Sequence, residues 1–321
     1  MNHLTEKTKE LLDLTREDRA LACMRELFLM HPSAMAAELN AQRLVALPRC
    51  TSNAGMSLIA HPGVGKSSLG QRWQTQSFKP NSKWPGKIIY IDLVENIANL
   101  SIMKLFLAEV GKQFYKRPLN LSYRDVALAQ SLIRENNVRA VFIDEAPLLR
   151  QTLTDKRVNR EHGAIKGLAG PAWQMNMIMS GTAEGLREVY GEDATLLSRF
   201  SLRKSELTAW NNDFEGESFV NGYLCYMPLL QKSVVNMAFL KNLYDFAITV
   251  TVVDRIWVEY RSRRAVVEIL REACRMEVES GQEYVNADSI LKAWNAMQGV
   301  NEALDRLETR PTMILNSAPA D

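Results

Sequence analysis

Short apolar runs alternate with amphipathic stretches from about residue 54 to residue 207. The runs have the length of β-strands, and the stretches between them place apolar residues at helical spacing. Strands separated by helices of this length favour right-handed crossovers and a parallel sheet covered on both faces. The predicted strands are 56–60, 87–92, 140–144, 176–182 and 200–207, and the main predicted helices between them are 67–76, 102–114 and 122–136.

The pattern on either side of this α/β region is helical. Up to about Glu38 apolar residues recur at helical spacing, which predicts a helix packed on a core. From about residue 214 to residue 304 strand signals fade, and 264–279 and 287–296 are strongly periodic. The tail from Glu308 has little periodicity and is expected to be mobile. We therefore expect a helical segment at 1–50, an α/β domain at 51–210, a helical lid domain at 211–307 and a flexible tail at 308–321. The apolar series of the N-terminal helix is Leu21, Met24, Leu27 and Phe28.

The composition of the 321 residues is that of an ordinary globular protein, with 46% hydrophobic and 24% charged residues. The formal net charge is only +2, so any affinity for nucleic acid must come from local clusters of basic residues. The first residues lack the apolar stretch of a signal peptide, and no apolar run is long enough to span a bilayer. Four scattered cysteines without a CxxC pair predict reduced thiols rather than a zinc site. We expect a cytoplasmic protein with no membrane partner.

A glycine-containing loop follows the first predicted strand and opens the first predicted helix. Its sequence, AHPGVGKSS, matches the phosphate-binding pattern GxxxxGK[ST] except that Ala60 replaces the first glycine. Consecutive backbone N–H groups and the helix N-terminus bind polyphosphate in such a loop. Lys66 is expected to contact the β- and γ-phosphates, and the Ser67 hydroxyl to contact Mg²⁺. The residues predicted to surround the phosphates are His61, Pro62, Gly63, Val64, Gly65, Lys66, Ser67 and Ser68.

The apolar run 141–143 ends in two acids, Asp144 and Glu145. Buried carboxylates are costly unless they are paired or bind metal, and parallel sheets bind ligands at the carboxyl ends of their strands. Asp144 is predicted to hold Mg²⁺ through water, and Glu145 to polarise the attacking water. The sequence contains no NKxD motif, by which GTPases recognise guanine, so the expected nucleotide is ATP.

Two further features follow these acids along the chain. The apolar run 177–179 ends in hydroxyl residues, which would place Thr182 or Ser180 near the γ-phosphate as a sensor. Arg199 directly precedes the last predicted strand, at the edge of the domain. It would lie too far from its own nucleotide but could reach that of a neighbouring subunit. This placement predicts an arginine finger supplied in trans, and therefore a homo-oligomer.

In this order the features resemble AAA+ ATPases, and among them the TniB/TnsC group of transposition regulators, relatives of IstB and of the phage Mu B protein. The resemblance extends from about Val45 to Trp294 and rests on AHPGVGKSSL, on KIIYIDL followed by SIMKLFLAEVG, on VRAVFIDEA, on MIMSGTAEGLREV with DATLLSRF, and on RAVVEILREACRMEV. The SGTAEGL…SRF run and the VVEILREA helix point to this group.

The resemblance implies an AAA+ fold with a five-stranded parallel sheet and a C-terminal helical lid, and ATP with Mg²⁺ as cofactors. It implies rings or filaments on double-stranded DNA that link a target-site selector to the transposase. By position, it assigns Thr182 as the sensor and Arg199 as the finger. The group's GxxGR turn is replaced by RSRRA, so the sensor-two arginine is placed at Arg264, with Arg263 as the second choice.

Duplex DNA is expected to contact a stretch between residues 111 and 124 that contains four cations and no acid. Phosphate contacts need cations without neighbouring carboxylates, and hydroxyl groups add hydrogen bonds. No zinc finger or helix-turn-helix predicts base-specific recognition. The residues favoured for DNA contact are Lys112, Lys116, Arg117 and Ser122.

Two other functions are compatible with the same motifs. A helicase-loader or replication-initiator ATPase would bind a replicative helicase instead of a transposase. An ATP-binding scaffold would carry the same site but hydrolyse little ATP, and a turnover measurement would distinguish it.

Overall fold

Five parallel strands form the central sheet of the computed structural model, which describes residues 2–191, 193–253 and 256–308. The strand order is β2-β3-β4-β1-β5, so β3 lies between β2 and β4, and β1 lies next to β4. All four pairings are parallel. The strands are β1 (Gly55–Ile59), β2 (Lys87–Asp92), β3 (Val138–Asp144), β4 (Asn176–Gly181) and β5 (Lys204–Glu206).

This order confirms the predicted parallel α/β sheet. The first four strands fall within a few residues of the predicted runs, while the predicted fifth strand is shorter than expected. Phe200 ends a helix instead of starting a strand, and only Lys204–Glu206 pairs with β1. The apolar side chain of Phe200 is fully buried, which explains the apolar signal at this position without a strand.

Helices cover the sheet, and one of them approaches it closely. A Cβ on Gly70 would lie 2.8 Å from the Phe142 ring and 2.9 Å from that of Tyr90. Glycine at this position therefore lets the first turns of the helix after the phosphate loop lie directly on β2 and β3. The Trp73 ring, fully buried, meets Phe142 edge-on at 5.7 Å. Burial of such side chains contributes about 1.5–3 kcal/mol each.

The chain divides into two compact units. The sheet unit comprises residues 28–211 and 248–264, and the helical unit comprises the described parts of 1–27, 212–247 and 265–321. The division of the sequence at residues 50 and 210 remains a proposal about domains. The helices are α1 (Glu6–Lys9), α2 (Arg16–Cys23), α3 (Pro32–Ala46), α4 (Lys66–Phe78), α5 (Ile102–Tyr115), α6 (Tyr123–Glu135), α7 (Leu148–Thr152), α8 (Asp155–Ala169), α9 (Ala183–Tyr190), α10 (Ala194–Phe200), α11 (Phe214–Leu224), α12 (Met237–Phe246), α13 (Arg263–Ser280) and α14 (Ala287–Glu308).

The helical unit joins the N-terminal residues to the C-terminal helices. Arg19 forms an ion pair with Glu283 at 2.6 Å, and both side chains are buried. The single N-terminal helix expected up to Glu38 is instead divided among α1, α2 and part of α3. Its predicted buried face is partly wrong, because Leu21 is 70% exposed and Met24 is 43% exposed. Most of the tail predicted to be mobile, residues 309–321, lies outside the described residues.

A β-hairpin interrupts the region that the sequence predicts to be entirely helical. Strands β6 (Ile248–Val253) and β7 (Ile256–Arg261) pair antiparallel and belong to the sheet unit. The alternating, β-branched sequence ITVTVV suits a strand better than a helix. No helix among the described residues is long and apolar enough to cross a membrane.

Candidate nucleotide site

The predicted phosphate loop lies between the carboxyl end of β1 and the start of α4, the arrangement its sequence requires. Gly63 and Gly65 adopt φ values of +72° and +109°, which side chains with a Cβ rarely allow. Gly65 is the N-cap of α4, and Lys66 is its first residue. The loop therefore ends at a helix N-terminus, where backbone N–H groups and the helix dipole favour an anion.

Lys66 is a buried cation inside this loop, with 5% of its surface exposed. Its Nζ donates hydrogen bonds to the carbonyl oxygens of Ala60 at 3.1 Å and His61 at 3.3 Å. Burial lowers the pKa of Lys66, while the charges of Glu145 and Asp144 oppose this shift. Val64 is buried, Ser67 is half-buried and Ser68 is exposed. Lys66 is thus a cation enclosed by the loop, and its contact with phosphate stays a prediction.

Strand β7 and the residues directly after it contact the phosphate loop. The Tyr260 hydroxyl donates to the Pro62 carbonyl at 2.7 Å, and its ring stacks on His61 at 4.7 Å. The backbone N–H of Arg264 donates to the Gly63 carbonyl at 3.0 Å. The charge of Arg264 lowers the pKa of both Lys66 and Glu145, so this cation lies near the loop, and its role as a sensor-two arginine stays a prediction.

Asp144 is completely buried at the end of β3, and each of its oxygens accepts hydrogen bonds. Oδ2 accepts from the Tyr90 hydroxyl at 2.7 Å. Oδ1 accepts from the Ser180 hydroxyl and, at 3.1 Å, from the backbone N–H of Glu145. Burial and the charge of Asp144 raise the pKa of Tyr90, so its hydroxyl stays protonated and donates. All three donors are neutral groups.

Glu145 stands beside Lys66, with its Oε1 3.9 Å from Nζ. Its backbone adopts φ +49°, an unusual value for a residue with a side chain. Burial raises the pKa of Glu145, and Lys66 partly opposes this shift. The two acids therefore differ in environment: Asp144 is fixed by hydrogen bonds, whereas Glu145 lies next to the phosphate-loop cation.

The two sensor candidates occupy different positions. Ser180 contacts Asp144, whereas the Thr182 hydroxyl accepts from the Gly185 N–H at 3.1 Å and caps α9. The Gly181 carbonyl accepts from the Ala60 N–H at 3.1 Å, which places Thr182 beside the start of the phosphate loop. Ser180 is thus the hydroxyl in direct contact with the acids, and the role assigned to Thr182 stays a prediction.

Arg199 lies at the opposite end of β1 from the phosphate loop. Its Nη1 donates to the Asn53 carbonyl at 2.8 Å, just before the strand begins. Five residues of strand, roughly 16 Å at 3.3 Å per residue, separate this point from the loop. Arg199 therefore lies too far from the phosphate loop of its own chain to contact a ligand there.

The basic loop after α5 is exposed but not free of carboxylates, contrary to the expectation. Lys112 lies 3.5 Å from Glu109, and Arg117 pairs with Asp125 at 3.0 Å. Both acids lie just outside the stretch in sequence. One turn of α5 places Glu109 beside Lys112, and the loop after α5 folds back so that Arg117 contacts Asp125. Lys116 is exposed and is the C-cap residue after α5, and the Ser122 hydroxyl caps the N-terminus of α6.

The donor set fits Mg²⁺ and a nucleotide triphosphate. Hydroxyl and carboxylate oxygens, as on Ser67 and Asp144, are ligands that Mg²⁺ accepts directly or through water. Sequence reasoning missed Tyr90 and Tyr260, because neither belongs to a nucleotide-binding motif. Their contacts depend on strand register and on the unpredicted hairpin.

No protein-family model and no curated protein matches the chain. Solved structures do match. The ORC2 protein of Aeropyrum pernix, in complex with ADPNP and ADP, shares 14% identity and a TM-score of 0.57 over 84% of this chain and 70% of its own. A Walker-type ATPase of Pyrococcus abyssi shares 17% identity and a TM-score of 0.51 over 92% and 79%. Drosophila ORC bound to DNA shares 13% identity and a TM-score of 0.50 over 91% and 67%.

At these identities the likeness concerns the fold. The strand order, the phosphate loop after β1 and the acids after β3 agree with it. The chain therefore has the α/β fold of P-loop AAA+ ATPases, with a five-stranded parallel sheet flanked by helices.

Proposed function

We propose that this chain is an Mg²⁺-dependent ATPase that assembles on double-stranded DNA in its ATP-bound form. The observation that carries the proposal is the approach of Lys66 in the phosphate loop to Glu145 at 3.9 Å, beside the buried Asp144. The carboxyl end of the sheet thus brings together a cation, a carboxylate that can polarise water and a carboxylate that can bind a metal through water. This set supports cleavage of a phosphoanhydride bond by water.

Each residue has a role in this reaction. Lys66 and the loop N–H groups bind the β- and γ-phosphates, and Glu145 accepts a hydrogen bond from the attacking water and orients it. Ser67 and Asp144 would hold Mg²⁺, which when bound neutralises the developing charge on the phosphate oxygens. Arg264 adds a further positive charge near the phosphates.

Replacing Lys66 by alanine tests the proposal directly. The variant should bind ATP about 100-fold more weakly or worse, because two charge-assisted contacts of about 1.5–3 kcal/mol each are lost. Calorimetric or fluorescence titration with ATP and Mg²⁺ measures the affinity. Lys83→Ala, which removes an exposed lysine of the same unit, is the matched control and should bind as the wild type does. Unchanged affinity in Lys66→Ala would remove the nucleotide site from this loop.

DNA contact is proposed for the exposed loop after α5. Of the cations in and beside this loop, Lys116 and Arg124 are exposed and have no ion pair among the described contacts, whereas Lys112 pairs with Glu109 and Arg117 with Asp125. The DNA in the Drosophila ORC structure adds support for a nucleic-acid partner. Binding of this kind is electrostatic and indifferent to base sequence.

Affinity for duplex DNA should fall steeply with salt, by about 0.9 log units per log unit of salt for each phosphate contacted. Lys116→Ala should reduce that slope by about one contact. Arg117→Ala should reduce it less, since the arginine is already paired with Asp125. Fluorescence anisotropy over a salt series measures both. Lys241→Ala in the helical unit is the control, and a slope unchanged in Lys116→Ala would place DNA elsewhere.

For the biological role we propose regulation of transposition, with a transposase and a target-site selector as partners. The proposal rests on the resemblance of the phosphate loop, the SGTAEGL…SRF run and the VVEILREA helix to TniB/TnsC proteins. A transposase gene adjacent to the gene for this chain, and ATP-dependent co-assembly of the two products on DNA, would support it.

Replication initiation is the second candidate, because the structures with similar folds include origin-recognition proteins. An initiator or loader would bind a replicative helicase, so co-assembly with a helicase in place of a transposase would favour it. A scaffold with little hydrolysis would bind ATP with normal affinity and fail to turn it over on DNA.

A further inference from the structure

We propose that Tyr90 is a positioning residue for the metal-binding acid: together with Ser180 it fixes the Asp144 carboxylate in the orientation that Mg²⁺ requires. The inference rests on the proposed ATP and Mg²⁺ site. It assigns a function to a side chain that belongs to no nucleotide-binding motif.

The register of the sheet places one donor on each side of Asp144. Tyr90 on β2 pairs with Phe142 on β3, so Tyr90 and Asp144 lie on the same face of the sheet, two residues apart along the strands. On the other side, Met179 of β4 pairs with Ile143, which brings Ser180 next to Asp144. The Tyr90 hydroxyl donates to Oδ2 and the Ser180 hydroxyl to Oδ1. Neither carboxylate oxygen can rotate away without breaking a hydrogen bond.

Helix α4 gives Tyr90 its place. The ring lies against Gly70, where a Cβ would come within 2.9 Å of it, and 5.5 Å from the Phe142 ring. The backbone N–H of Tyr90 donates to the Gln74 side chain, one turn further along the same helix. The helix that begins with Lys66 and Ser67 is therefore fastened to the residue that orients Asp144. Helix α4 therefore connects the two predicted metal contacts, because it carries Ser67 and packs against the tyrosine that orients Asp144.

A residue at position 90 that only filled space in the core would not need a hydroxyl. Phenylalanine would fit the space between α4 and β3 equally well, yet the tyrosine donates to a buried carboxylate, a charge-assisted bond stronger than one between neutral groups. Removing the hydroxyl should leave Oδ2 without its donor and the carboxylate less firmly oriented, and ordering it again on metal binding costs free energy. Loss of a hydrogen-bond partner of a metal ligand lowers metal affinity by 10–100-fold in typical sites.

The test is an Mg²⁺ titration of ATP binding by wild-type protein and Tyr90→Phe. The Mg²⁺ concentration at half-maximal enhancement of ATP affinity should rise roughly tenfold in the variant, while its affinity for ATP in EDTA stays within about twofold of wild type because Lys66 and the loop are intact. Tyr190→Phe is the matched control. Its hydroxyl forms a buried hydrogen bond with the Ser57 hydroxyl at 2.6 Å and lies outside the acid site. The control should show the wild-type Mg²⁺ midpoint.

Ser180→Ala gives a second, independent reading, since it removes the donor on the other oxygen and should also raise the midpoint. A midpoint in Tyr90→Phe that is unchanged, or lower because the tyrosine competes with the metal, overturns the inference and leaves the ATP site standing. An equal rise in Tyr190→Phe also overturns it, because general loosening of the core would then be the cause. Wild-type protein whose ATP binding ignores Mg²⁺ overturns both the inference and the proposed metal-dependent function.

Discussion

Arg199→Ala should bind ATP normally and lower the hydrolysis rate of the assembled protein by about 10³–10⁵-fold, the range for arginines that stabilise phosphoryl transfer. The residue is bonded to the Asn53 carbonyl before β1, a full strand away from its own phosphate loop. Any catalytic action must therefore fall on the nucleotide of a neighbouring subunit. Steady-state ATPase assays with saturating DNA measure the loss.

Two controls separate catalysis from structure. The bond to Asn53 ties α10 to the start of β1, so the variant's thermal unfolding has to be compared with wild type. Arg203→Ala removes an exposed arginine from the same edge of the sheet and should retain activity.

Mixing variants decides whether the arginine acts in trans. Lys66→Ala subunits bind ATP too weakly to be loaded at the concentrations used but still carry Arg199, whereas Arg199→Ala subunits carry an intact phosphate loop. Mixed assemblies should regain activity at interfaces that pair the two intact elements. Activity that stays at the level of Arg199→Ala alone, with co-assembly verified, would mean that Arg199 only holds α10 against β1.

Glu145→Gln should bind ATP with near-normal affinity and lower hydrolysis by about 10²–10⁴-fold, the usual contribution of a positioned general base. Glutamine keeps the size and the left-handed backbone of the residue but cannot accept a proton from water. The stalled protein should also remain longer on DNA, because the ATP-bound form persists. Single-turnover hydrolysis and dissociation from labelled duplex measure the two effects.

Asp92→Asn is the matched control for that substitution. Asp92 ends β2 opposite Asp144, and its Oδ1 accepts a hydrogen bond from the Val94 N–H in the turn that follows. It is therefore an acid close to the site whose side chain already has a structural contact. It should retain most of the activity. Normal turnover in Glu145→Gln would assign the activation of water to another group.

The parts of the site that are contiguous in sequence could be predicted. The phosphate loop and the acids after β3 each lie within a few residues, and local physics fixes both: positive-φ glycines before a helix, and an apolar strand ending in carboxylates. The contacts of Tyr90 and Ser180 with Asp144 depend on which strands are neighbours and in what register, and a single sequence does not contain that information.

The sequence predictions that the structure contradicts have separate physical causes. Residues 248–253 form a strand because β-branched side chains alternate there, a local signal outweighed by the helical periodicity on both sides. Leu21 and Met24 follow helical spacing, yet α2 ends at Cys23 and buries Ala20 and Cys23 instead. The pairing of Arg117 with Asp125 was missed because the acid lies one residue beyond the basic stretch and the chain folds back to it.

The sheet unit is discontinuous, since residues 248–264 return to it after the chain has formed α11 and α12. Tyr260 and Arg264 then contact the phosphate loop at Pro62 and Gly63. A truncated protein that ends at residue 210, where the α/β pattern of the sequence stops, would retain every motif residue from Gly65 to Arg199. It would nevertheless lack the segment that supports the loop from outside. Nucleotide affinities measured on such a fragment would describe a phosphate loop without its contacts to Tyr260 and Arg264. A weak affinity of the fragment would therefore not be the affinity of the whole chain.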